Sequence, residues 1–152
     1  MSICLIILAG GNSHRFKSSI GKPYQKIAGK SLIEINVDKA RKFKQIKKII
    51  IVYNKKDSKR AKSLKLKNVK FILGGKNRQQ SAFKALKYLF NIKGISKVLI
   101  HDVARPNFSL KLISSILRNM KNARAVVPKI DIQDAIKQKI NSSLNEYILG
   151  KN

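Results

Sequence analysis

Five short apolar runs, at 3–9, 48–53, 69–73, 97–101 and 124–128, alternate along this chain with segments of helical periodicity. No other feature limits the fold so tightly. The run Lys48-Ile49-Ile50-Ile51-Val52-Tyr53 is apolar at successive positions, hence on both faces, as a strand buried between two helical layers must be. Between the runs, Ser31-Leu32-Ile33-Glu34 has the form of a capping box ahead of Ile33, Val37 and Ala40. Ala82, Ala85, Leu86 and Leu89 fall on one helical face, as do Ile113, Ile116, Leu117 and Met120. Residues 57–64 read as a shorter helix. The alternation predicts an α/β fold: a doubly wound, mostly parallel sheet with helices on both faces. From Ile132 the helical pattern stops. There "DAIKQKI" and "EYILGK" read as two short strands of an extended β-arm around the polar turn Asn141-Ser142-Ser143.

The first run is not a signal peptide, since no basic segment precedes it, and it is too short to span a bilayer. Cys4 is the single cysteine, which excludes an internal disulfide; with only His14 and His101 beside it no zinc cluster forms, and a reducing cytoplasm suits the chain. Lysine and arginine total 34 against 7 acids, a net charge of +27. That charge admits a basic nucleic-acid-binding module. The lysines are spread along the chain, however, and no common nucleic-acid signature accompanies them, so an anionic small molecule is the favoured partner.

In a parallel α/β sheet ligands bind at the carboxyl ends of the strands. The unusual polar segments follow the runs: Gly10-Gly11-Asn12-Ser13-His14-Arg15, then Gly74-Gly75-Lys76-Asn77-Arg78, then His101-Asp102-Val103-Ala104-Arg105-Pro106, then Pro128-Lys129-Ile130-Asp131. The first suits phosphate, because glycines let backbone N–H groups approach an anion and Arg15 adds a fork of donors. A plain strand-to-helix turn would look the same. The dinucleotide pattern G-x-G-x-x-G is absent. "GKS" at 29–31 is no Walker loop, since Tyr24 stands where the first glycine is required, and Ser31 is a helix cap. Lys22 follows in a loop over the same edge. Asp102 ends an apolar run in a chain poor in acids and faces a phosphate loop, which suits a Mg²⁺ ligand or a turn cap. His101 reads as a structural hydrogen-bonder and His14 as exposed.

Together and in this order, "LAGGNSHRF", "GKPYQKIAGKSL", "GGKNRQQS", "VLIHDVARP" and "VVPKIDIQDAIK" resemble the 2-C-methyl-D-erythritol 4-phosphate cytidylyltransferase family over nearly the whole chain. The ribitol-5-phosphate cytidylyltransferases share most of these motifs, and the order Ala104-Arg105 favours the former. The resemblance implies a Rossmann-like nucleotidyltransferase fold and transfer of CMP from CTP to a polyol phosphate with Mg²⁺. It implies that Arg15 and Lys22 hold the triphosphate and stabilise the transition state. The backbone of Ala9, Gly10 and Gly11, with Gly75 and Ser81, would line the cytidine pocket, and Arg78 would support that loop. Asp102 would face Mg²⁺ and acceptor, and Arg105 and Lys151 would bind the acceptor. Residues 1–131 would form the nucleotide-binding domain, and 132–152 an arm through which the family forms homodimers.

Several positions depart from the family pattern. Ser13 replaces a glycine, Gly21-Lys22-Pro23 replaces Pro-Lys-Gln, and Lys76 stands where an acid is common. Ala135 replaces a threonine and Lys151 an arginine, which loses a bidentate fork. The chain stops at Asn152, before the family's "TPQ" segment and final helices. Either the chain is degenerate or, the favoured expectation, it is a fragment of a longer protein, a fusion with a cyclodiphosphate synthase domain being one form, and is expected to be inactive by itself.

Overall fold

The computed structural model describes residues 2–11 and 20–130, with the backbone of 136–140 and 143–147. Strand β1 (Ile3–Ala9) leads through a 3-10 turn at Lys22–Tyr24 to a small antiparallel pair, β2 (Lys26–Ile27) and β3 (Lys30–Ser31). Helix α1 (Leu32–Arg41), strand β4 (Ile46–Tyr53), helix α2 (Ser58–Ser63), strand β5 (Val69–Leu73), helix α3 (Arg78–Phe90), strand β6 (Lys97–Asp102) and helix α4 (Leu110–Asn119) follow. An antiparallel hairpin of β7 (Ile136–Ile140) and β8 (Ser143–Tyr147) comes last.

The chain divides into two compact units, Met1–Ile113 and Ser114–Asn152. In the first, four parallel strands run in the order β5-β4-β1-β6. Every residue of β1 is buried, and its alternate side chains enter two different cores. Leu5, Ile7 and Ala9 pack with Ile33, Val37 and Ala40 of α1 and Ala61 of α2. Cys4, Ile6 and Leu8 pack with Ala85 and Leu89 of α3. Helices thus cover both faces of a parallel sheet, the doubly wound arrangement expected from the alternation. Burial pushes the Cys4 thiol up to about 12, so it is an inert core residue.

The capping box forms as the sequence predicts. Glu34 N–H donates to Ser31 Oγ at 3.2 Å, and the Glu34 carboxylate accepts from the Ser31 hydroxyl at 2.7 Å and from the Ser31 N–H at 2.8 Å. Of "GKS", Gly29 lies in the β2–β3 turn and Lys30 and Ser31 form β3; Ala28 and Gly29 have φ of 48° and 80°, the left-handed pair of a tight hairpin. The hydroxyl bond and then the N–H bond from Ser31 hold the Glu34 carboxyl below its ordinary value of 4.5. A carboxylate with a lowered folded pKa stabilises the fold above its unfolded pKa, and that contribution is lost as pH falls. Glu34→Gln should therefore be less stable than the parent to urea at pH 7, with the gap narrowing as pH falls below 4.5. A gap that does not change with pH would show that the ionised carboxylate adds nothing.

Three expectations are corrected. Residues 124–128 form no strand, and Val127 is 82% exposed. A strand exists only as a member of a ladder; two valines followed by Pro128, which has no N–H to donate, do not secure one. Pro128-Lys129-Ile130 therefore does not follow a strand, and Asp131 lies outside the described residues. Leu86 is exposed, because the buried face of α3 is the narrower line Ser81, Ala85 and Leu89. In the hairpin, Ser143 belongs to β8, paired with Ile140, so the second strand starts earlier than "EYILGK".

Candidate functional site

The carboxyl ends of β1, β5 and β6 and the Lys22–Tyr24 turn surround one cleft of about 600 Å³. Leu8, Gly10 and Gly11 line it from β1, Lys22 and Pro23 from the turn, and Gly75, Lys76, Asn77, Arg78 and Ser81 from the start of α3. Asp102, Val103, Ala104 and Arg105 complete it after β6. Three of the four segments singled out in the sequence, the first through Gly10 and Gly11, thus meet, although they lie some 90 residues apart. Ala9 is buried in the core and does not line the cleft. Arg15 and Lys151, as well as Ser13 and Ala135, lie outside the described residues.

Each wall has a local cause. Pro23 starts the 3-10 turn, where its fixed φ fits, and Pro23 and Tyr24 are buried while Lys22 stays exposed. Asn77 caps α3, its Oδ1 accepting from Gln80 N–H at 2.8 Å. Gln80 Oε1 accepts from Lys76 N–H at 2.9 Å, and Ser81 Oγ accepts from Gly75 N–H at 3.0 Å. The N–H groups of Gly75 and Lys76 are thereby committed to holding the loop on the helix, and Ser81 acts as its anchor. Asn54, at the end of β4, donates from Nδ2 to the Gly10 carbonyl at 3.0 Å and so fixes the glycine pair. Sequence reasoning passed over Asn54, although a polar residue ending an apolar strand was the available signal.

Asp102 is the last residue of β6, opposite Leu8 of β1. Its half-buried carboxylate is flanked by two guanidinium groups. Arg78 Nε donates to Oδ1 at 3.1 Å, and Arg105 Nε lies 3.9 Å from Oδ2. His101 Nε2 lies 3.1 Å from the Arg105 carbonyl oxygen, and burial lowers its pKa, so the neutral ring serves as a hydrogen-bonder. Among the described residues the cleft is therefore lined by four cations, Lys22, Lys76, Arg78 and Arg105, and by one carboxylate, Asp102. That balance suits a ligand of several negative charges. Among the described residues no three His, Cys, Asp or Glu side chains gather. A Mg²⁺ ion nevertheless fits, because it accepts one carboxylate and completes its shell with phosphate oxygens and water.

A family model for 2-C-methyl-D-erythritol 4-phosphate cytidylyltransferase matches residues 3–147. The chain belongs to this cytidylyltransferase family. The bifunctional enzyme IspD/IspF of Pelagibacter ubique is 44% identical over 144 residues, covering 95% of this chain and 38% of that protein. The 2-C-methyl-D-erythritol 4-phosphate cytidylyltransferase of Thermosipho melanesiensis is 37% identical, covering 86% of this chain and 60% of that one. Among solved structures, the bifunctional IspDF of Campylobacter jejuni superposes with a TM-score of 0.77 at 27% identity, covering 95% of this chain and 37% of that one. The chain thus spans between about a third and two thirds of these cytidylyltransferase relatives. Among the described residues no helix is long and apolar enough to cross a membrane.

Proposed function

We propose that this cleft transfers the cytidylyl group of CTP to 2-C-methyl-D-erythritol 4-phosphate and releases pyrophosphate. The observation that carries the proposal is the set of four cations that line one cleft with Asp102 at the carboxyl edge of a parallel sheet, in a chain of this family. An oxygen of the acceptor phosphate attacks the α-phosphorus of CTP, and the bond from that phosphorus to the bridging oxygen of the β-phosphate breaks. A phosphate monoester has its second pKa near 6, so at pH 7 it is already a nucleophilic dianion and needs no general base. The requirement is positive charge where the transition state spreads negative charge.

Lys22 and Arg15 would face the triphosphate, the Gly10-Gly11 and Gly75–Ser81 walls would hold the cytidine, and Arg105 and Lys151 would bind the acceptor. Asp102 would hold Mg²⁺, which when bound neutralises phosphate charge. The arm at 132–152 would pair with that of a second copy to make a homodimer in the cytoplasm. The test is pyrophosphate release by the protein at its natural length with CTP, Mg²⁺ and methylerythritol phosphate. Release with this acceptor is expected. Release with ribitol 5-phosphate alone would reassign the acceptor, and none with either would sink the proposal.

A further inference from the structure

We propose that helix α1 braces the loop carrying Asp102 and Arg105, with Lys39 as a positioning residue for the acceptor side of the cleft. Two side chains of α1, three residues apart and therefore on one face, reach the same loop. Asn36 is fully buried, and its Nδ2 donates to Leu32 O at 2.7 Å within the helix and to Val103 O at 3.1 Å, 67 residues away in sequence. Val103 lines the cleft next to Asp102. Among the described residues the Asn36 Oδ1 has no hydrogen-bond partner. A buried amide with one half unsatisfied costs stability, so this residue is ill suited to mere core filling and well suited to holding one carbonyl.

Lys39 continues the brace. Its ammonium donates to the carbonyl oxygens of Pro106 and Phe108, the latter at 3.3 Å, and lies 5.1 Å from the centre of the Phe108 ring. The Phe108 ring meets His101 edge to face at 4.8 Å, and His101 Nε2 approaches the Arg105 carbonyl oxygen. The circuit from Lys39 through Phe108 and His101 ends on the backbone of Arg105. An ordinary surface lysine keeps its rotamer freedom; this one gives it up for two carbonyls and a ring face. The loop's own short bonds, Val103 N–H to Leu8 O and Arg105 N–H to Asp102 O, fix its start and middle. Asn36 and Lys39 hold its start and its far end.

The test uses the protein at its natural length, with Lys39→Met, which keeps the apolar stem, and Lys39→Arg, which keeps the charge. The expected result for Lys39→Met is a KM for the phosphate acceptor raised about ten-fold, with the KM for CTP moved less than about two-fold. Hydrogen exchange at 102–108 should quicken while exchange elsewhere and Tm stay near the parent's, and Lys39→Arg should recover most of both effects. Unchanged exchange at 102–108 would overturn the brace, and equal changes in both KM values, or none, would overturn the positioning role. The choice of substrates rests on the transferase reading. If the parent released no pyrophosphate, that reading would fall, and exchange at 102–108 would still decide the brace.

Discussion

Replacing Lys22 by alanine should lower turnover about 10²- to 10³-fold, with the KM for CTP changed less than about three-fold. The expectation follows from where the ammonium stands. Lys22 is exposed on the cleft wall, while the next two residues of its turn, Pro23 and Tyr24, are buried. The turn is also tied by Tyr24 N–H to Gly21 O at 2.9 Å, so the charge is presented from a fixed base. On the proposed reading Arg15 would also hold the CTP phosphates in the ground state. As the bond to pyrophosphate breaks, negative charge grows on the leaving group, and a preorganised cation there contributes more to the transition state than to substrate binding. Separate kcat and KM values for CTP would check this. A rise in KM with kcat unmoved would make Lys22 a binding residue only, and a variant as fast as the parent would remove it from the site.

What the sequence discloses and what it hides divide along a physical line. The parallel strands were legible because burial on both faces writes itself into consecutive residues, as in Ile49 to Val52. The start of α1 was legible because a capping box is a contact between residues three apart. Lys22, Gly75, Asp102 and Arg105 were placed at one edge because the rule for strand ends is topological. Residues 124–128 misled because a strand's existence depends on a partner ladder that local composition does not encode. Asn54 and Asn36 stayed hidden for a related reason: their partners, Gly10 and Val103, are 44 and 67 residues away. The ion pair between Arg78 and Asp102 is of the same kind, joining the start of one helix to the end of another strand. The β2–β3 turn escaped because Ala28 carries a positive φ that its residue type does not advertise.

Gly75→Ala should weaken CTP binding by at least ten-fold and lower stability by roughly 1–3 kcal/mol, the usual cost of forcing atoms into filled space. A Cβ at this position would clash with Gln80 Cβ and lie 3.1 Å from the Gln80 carbonyl carbon. Neither is the free end of a flexible side chain, so the loop itself must move. That movement pulls Gly75 N–H from Ser81 Oγ and Lys76 N–H from Gln80 Oε1, the bonds that set the cleft wall against α3. Gly11 supplies the control. It lines the same cleft, but a Cβ there would meet nothing within 4 Å among the described residues. Gly11→Ala should therefore unfold in urea nearly as the parent does, and so controls for stability alone. Calorimetric titration of CTP into both variants, with urea unfolding of each, separates a lost pocket from a lost fold. If Gly75→Ala bound CTP as tightly as the parent, the 74–81 wall would not be part of the nucleotide site. Tight binding to Gly75→Ala with reduced stability would confine that wall to a folding role.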